Sequence, residues 1–217
     1  MIASIEDFLS NLKEVDMLLS YAAKNSQKID RYKLFIKTAM VMLCSHFEVF
    51  VETFISEHVD ILKRCYDNDT LPQFMKDNYI NDTVKVLKDL SFPSRKTKTL
   101  KAIFRLHDSV KCRMLDIDNL EIDMKYSFGK HGQEETERLF KKFGLENFVK
   151  STSFKNSFKK INSAISIRNN IIHEGSAPTL SYKDMLDYKQ SFLDFANALE
   201  KHIIENQSQY YGKIWFH

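Results

Sequence analysis

Residues 30–65 read DRYKLFIKTAMVMLCSHFEVFVETFISEHVDILKRC, a stretch with no glycine and no proline. Ile36, Met40, Leu43, Phe47, Phe50, Phe54 and Ile61 recur along it at steps of three and four, the spacing of one face of an α-helix. The pattern predicts one long helix from about Asp30 to Cys65 that forms the spine of a hydrophobic core. His58 falls in the centre of the same seam, where a histidine is expected to be a hydrogen-bonded core or interface residue rather than a ligand.

Outward from this spine, Ser4 with Asp7 at the third helical position predicts a capped first helix. Its inner face is Ile5, Phe8, Leu9, Leu12, Val15 and Leu19. Ser153 reads as the cap of a helix that runs to His173-Glu174-Gly175, where glycine followed by Pro178 supplies a stop. Ser181 and Asp184 form a capping-box pattern for a last helix whose inward residues are Met185, Phe192, Phe195, Leu199, Ile203 and Ile204. Four long helices result, an all-α architecture. Residues 67–151 are more broken. Thr70-Leu71-Pro72 opens a helix, Ser91-Phe92-Pro93-Ser94 closes it, and a basic helix is expected from about Thr97 to Arg113. Alternation in Leu120–Tyr126 allows a short extended segment. The aromatic tail from Tyr210 to Phe216 is expected to dock on its own bundle rather than stand in solvent.

Composition bounds the rest. With 217 residues, 5 Gly and 3 Pro, one helical domain is the simplest organisation. Cys44, Cys65 and Cys112 are odd in number and widely spaced, which fits a reducing compartment better than a disulfide framework or a zinc site. The acidic N-terminal segment does not read as a secretory signal, and no unbroken apolar run reaches a membrane-spanning length, so a cytoplasmic protein away from membranes is expected. A net charge of +3 says little about nucleic acid, so any such reading must rest on where cations cluster. One cluster is Arg95, Lys96, Lys98, Lys101 and Arg105, interleaved with Phe92 and Phe104, a composition suited to RNA as well as to a solvated helix face. Gly-rich phosphate loops, a His-Glu-x-x-His helix and a Ser, His and Asp set are absent from the sequence, which gives little weight to nucleotide hydrolysis or metalloprotease chemistry.

The segment 153–174 carries the pointed chemistry. At about 100° per residue, Phe154, Phe158, Ile161, Ile165 and Ile172 share one arc, and Arg168 falls at its edge. A guanidinium in that position must either pair internally or face a cleft open to an anion. Asn162, Ser166, Asn169 and His173 form a second stripe without formal charge, which suits a contact or cleft wall better than an ordinary solvated face. His173 lies in the last turn, at the negative end of the helix, and imidazole is the side chain suited to acid and base work near neutral pH. Arg168 and His173 are about 140° apart around the axis, so a joint site needs the arginine to curl round or the same helix end from a second copy.

Arg168-Asn169-x-x-x-His173, at the end of the penultimate bundle helix, resembles the R-x4-H signature of the HEPN superfamily of helical ribonucleases and RNA-binding domains, with asparagine in its favoured place after the arginine. Ser45-His46-Phe47-Glu48-Val49-Phe50 and Phe140-Lys141-Lys142-Phe143-Gly144-Leu145 resemble the RiboL-PSP branch. The likeness spans most of the chain. It implies a HEPN-like four-helix bundle with an inserted, partly helical elaboration. Residues 1–217 would form a single domain, with core segments about 1–66 and 152–209, the elaboration about 67–151 and the tail 210–217. It further implies a metal-independent endoribonuclease without cofactor, of the toxin or antiviral defence type, acting on RNA as a homodimer whose two motifs meet across a cleft. An antitoxin or other partner protein fits the same reading. On this resemblance Arg168 and His173 carry catalysis and Asn169 supports them, while Glu48 resembles the acidic residue that some members set against the arginine. The alternatives are a HEPN module that binds RNA or a partner without cleaving, and a purely structural bundle in which Arg168 is a satisfied internal ion pair.

Overall fold

A computed structural model of the chain describes residues 2–66, 70–88, 128–174 and 179–212. The described residues are helical, with no strand among them. In chain order the helices are α1 (Ala3–Lys24), α2 (Ile29–Cys65), α3 (Gln73–Lys88), α4 (Phe128–Lys142), α5 (Glu146–Lys150), α6 (Thr152–Glu174), α7 (Tyr182–Glu205) and α8 (Gln207–Tyr211). The four long ones, α1, α2, α6 and α7, form the expected bundle, with α2 packed against each of the other three. The expected extended segment at Leu120–Tyr126 and the basic helix from Thr97 lie outside the described residues.

Phe47 shows why α2 is the spine. Its ring centroid lies 6.1 Å from Phe8 of α1, 6.3 Å from Phe158 of α6, and 4.9 and 5.2 Å from Phe192 and Phe195 of α7. One side chain thus joins all four helices, mostly through the edge-to-face geometry that aromatic quadrupoles favour. Every residue of the predicted α2 seam is buried. By length and composition α2 also contains a window apolar enough to cross a membrane, contrary to the expectation that none exists; its apolar side is the core of the bundle. The inserted segment adds to the same core, since Phe140 of α4 lies 5.9 Å from Phe54 and 6.1 Å from Phe195.

The helix ends correct several expectations. Ser4 does not cap α1. The helix starts at Ala3, and its first two amides, Ala3 N and Ser4 N, donate to the two carboxylate oxygens of Glu57 on α2, each at 2.9 Å. A carboxylate at a helix N-terminus both satisfies orphan amides and complements the helix dipole. The cap of α6 is Ser151, whose Oγ accepts from Phe154 N at 3.2 Å, rather than Ser153. The capping box of α7 at Ser181 and Asp184 is present in both directions. Two predicted inward residues are exposed, Ile172 at 46% and Ile204 at 55%; it is the adjacent residues, Ile171 and Ile203, that turn toward the core.

Phe140 to Leu145 is a helix stop. Leu145 N donates to Phe140 O and Gly144 N to Lys141 O, the paired bonds of a Schellman motif, with Phe140 and Leu145 both in the core. Gly144 has φ +80°, and a Cβ there would come within 2.6 Å of the Phe74 ring, so only glycine fits without displacement. The carbonyl of Phe143 accepts from Nε2 of buried His58 at 3.1 Å, while His58 Nδ1 lies 2.8 Å from the Tyr211 hydroxyl. A carbonyl can only accept, so Nε2 carries the proton of the neutral ring, and the tyrosine donates to Nδ1. Burial holds the His58 pKa down at about 4, against the opposing hydrogen bond to Phe143. Tyr210, whose hydroxyl lies 2.9 Å from His202 Nε2, completes the docking of α8.

Candidate active site

The last two turns of α6 bring the motif against α2. Ile165 and Ile167 are buried, so Arg168 between their faces is half-buried rather than free in solvent. Its Nη1 donates to Asn169 Oδ1 at 3.0 Å, which fixes one arm of the guanidinium fork. Its Nε is buried and has no hydrogen-bond partner among the described residues. Across from it lies Cys44 of α2, whose thiol pKa is pushed up to about 12 by burial, lowered in part by the Arg168 charge and raised further by Glu48. Arg168 and Glu48 are therefore both near enough to Cys44 to act on its thiol. No ion pair joins them among the described residues, and Glu48 also helps raise the pKa of Glu52, one turn further along α2, where burial is the larger cause.

The structure joins Arg168 to Asn169 and sets Arg168 and Glu48 each within electrostatic reach of Cys44. His173 stands apart: it is exposed in the last turn of α6 beside exposed Ile172, with no bond to Arg168. Within one chain the arginine faces α2 and the imidazole faces out, as their angular separation requires. The uncharged stripe divides in the same way. Asn162 accepts from Gln133 N at 3.1 Å and donates to the Gln133 side chain at 3.2 Å, a polar contact between α6 and α4. Ser166 remains exposed, Asn169 holds the arginine, and His173 ends the stripe in solvent. Arg95, Lys96, Lys98, Lys101 and Arg105 lie outside the described residues. Cys44 is the neighbour that sequence reading missed, because only the packing of α2 against α6 brings its thiol within electrostatic reach of Arg168.

The arrangement can hold an anion. Guanidinium has five N–H donors in a planar fork, of which the described contacts use one, and the charge is not neutralised by a carboxylate among the described residues. A buried Nε without an acceptor is costly to maintain, and an acceptor arriving at this face would relieve that cost.

The sequence model of a family described as RiboL-PSP-HEPN matches residues 6–205, a span that includes the four bundle helices and the motif. Neither a curated protein nor a solved structure shows a significant match.

Proposed function

We infer that this chain, which belongs to the RiboL-PSP-HEPN family, is an endoribonuclease that needs no metal and cuts RNA by attack of the 2′-hydroxyl on the adjacent phosphate. The observation that carries this reading is the half-buried Arg168, held on one arm by Asn169 and left with an Nε that has no partner among the described residues, in a position where an ordinary core residue would be apolar. In the reaction a bond forms from O2′ to phosphorus and the bond from phosphorus to O5′ breaks, which leaves a 2′,3′-cyclic phosphate and a 5′-hydroxyl. One group must take the 2′-hydroxyl proton and one must return a proton to O5′. His173 serves as that base or acid, and Arg168 steadies the charge that grows on the phosphate oxygens, a bidentate task lysine performs poorly. Because the two side chains point different ways on one helix, the active unit is a homodimer in which the helix ends of two copies complete each other. A toxin or defence effector, held by an antitoxin until released, fits such an activity.

Purified protein is expected to cleave RNA in the presence of chelator. Arg168→Ala and His173→Ala are each expected to lower the rate by about 10²–10⁴-fold. Cleavage that requires a divalent ion, or that survives both substitutions, refutes the mechanism. The separation of Arg168 and His173 within one copy favours a second reading, a HEPN module that binds RNA or a partner protein without cutting. It predicts salt-sensitive binding with no products.

A further inference from the structure

The end of the bundle that carries the α6 terminus also carries the turn between α1 and α2. Residues 24–37 hold five cations, Lys24, Lys28, Arg31, Lys33 and Lys37, against the single carboxylate Asp30. That local excess of four exceeds the +3 of the whole chain; residues 150–160 and 95–105 are the other basic stretches, the first at the opposite end of α6 and the second outside the described residues. Lys24, Lys28, Arg31 and Lys33 are exposed, and none of them forms an ion pair among the described residues. Several other surface lysines do pair, as Lys189 does with Asp16, Lys150 with Glu146 and Lys201 with Glu205, while exposed Lys155 and Lys159 form no ion pair among the described residues.

Aromatic rings lie among these cations. Tyr21 is 44% exposed and stacks on Phe35 at 5.7 Å, with the Lys24 ammonium 6.0 Å from its centroid. Tyr182, 38% exposed, opens α7 with its backbone amide donating to the Tyr32 hydroxyl at 2.7 Å, which joins the start of α7 to the start of α2. The motif is close by. Helices α2 and α6 run antiparallel, since Phe158 near the start of α6 meets Phe47 in the middle of α2, while the start of α7, which follows the end of α6 in the chain, is bonded to Tyr32 at the start of α2. Counted from the level at which Phe47 meets Phe158, Tyr32 and His173 each lie about 22 Å toward this end and Arg168 about 15 Å.

We propose that this surface, centred on Lys28, Arg31 and Lys33 and flanked by Tyr21 and Tyr182, is the landing site for single-stranded RNA that feeds the phosphodiester toward the α6 terminus. Unpaired cations supply the counterion-release term of binding, and partly exposed rings supply sequence-tolerant stacking. A membrane surface is the other polyanion with this chemistry. It would need a continuous apolar face, yet the most exposed apolar residues, Ile29 and Leu34, are about 140° apart around α2. The proposal rests on RNA as the substrate class but not on catalysis.

The test uses the full chain and a fluorescent 2′-O-methyl twelve-nucleotide RNA, which lacks the attacking hydroxyl and stays intact. Binding is measured at several salt concentrations for wild type, for Lys28→Glu/Arg31→Glu/Lys33→Glu, and for the control Lys155→Glu/Lys159→Glu/Lys201→Glu at the other end of the bundle. All six substitutions are on exposed side chains, and thermal melts check folding. The first variant is expected to weaken binding by about tenfold or more and to lower the salt slope by roughly two, with the control near wild type. Equal weakening by both variants overturns the proposal, as does binding by wild type to phosphatidylserine vesicles and not to RNA. Wild type that binds intact RNA through this surface but leaves ordinary RNA uncut refutes the nuclease reading and leaves the surface standing.

Discussion

The two ends of the bundle differ in how their polar groups are paired. At one end, where α2 finishes against α4 and α8, both nitrogens of His58 are engaged, Tyr210 and Tyr211 are buried with bonded hydroxyls, and the α1 amides are capped by Glu57. That end leaves only a neutral hydroxyl, Ser4 Oγ, buried without a partner among the described residues. At the other, a motif arginine keeps a buried Nε without a partner, a histidine stands in solvent, and four cations lack carboxylates among the described residues. Buried polar groups that are fully paired give order, while those left unpaired cost stability and persist where a ligand needs them. The contrast marks the first end as structural and the second as the working surface.

The sharpest way to break that division is through the histidine of the closed end. His58 has a folded-state pKa of about 4 against an ordinary 6.5, held down by burial. Its neutral form is the native one, so the unfolded chain binds the extra proton between these values. Stability is then full above about pH 6.5 and is lost as pH falls toward 4, by on the order of 3 kcal/mol. Urea unfolding across pH 4–7 reads this slope, and His58→Gln should flatten it. A slope unchanged by that substitution removes His58 from its proposed structural role.

Gly144 gives the next largest effect. Alanine there combines a φ of +80° with a Cβ only 2.6 Å from a Phe74 ring carbon, so Gly144→Ala is expected to cost about 2 kcal/mol. Gly212 provides the control: its φ is +69° with nothing within 4 Å of the added carbon. Gly212→Ala should show only the smaller backbone cost, and chemical denaturation of the pair separates ring contact from backbone strain. Equal losses would mean that the Phe74 contact contributes nothing.

How much of this was legible follows from how local each signal is. The α2 seam and the α7 capping box were readable because their partners lie within a few residues, at helical spacing. The cap on α1 was not, since Glu57 reaches it from another helix and Ser4 supplied a plausible local decoy. The same limit applies to the candidate site. Arg168 stood out because a cation broke an apolar arc, and Asn169 because it was its neighbour, but the nearness of Cys44 to the arginine depends on the packing of α2 against α6. Phe140 to Leu145 was legible as a family likeness and not as a cause; its Schellman bonds and its carbonyl to His58 explain why those residue types sit there. The cations of 24–37 were in plain view, but only the folded turn puts them at the motif end.

The smallest effect carries the opposite sign. Methionine is unbranched, fits beside Ile165, Ile167 and Cys44, and brings no donor into a place where Nε finds no acceptor among the described residues. Arg168→Met is therefore expected to raise stability by about 1 kcal/mol, the order of one relieved buried donor, while abolishing any RNA cleavage. Paired thermal melts and cleavage assays on the same preparation read both quantities. If the arginine were an ordinary structural residue, removing its hydrogen bond to Asn169 would lower stability instead, and the open end of the bundle would lose its claim to be held ready for an anion.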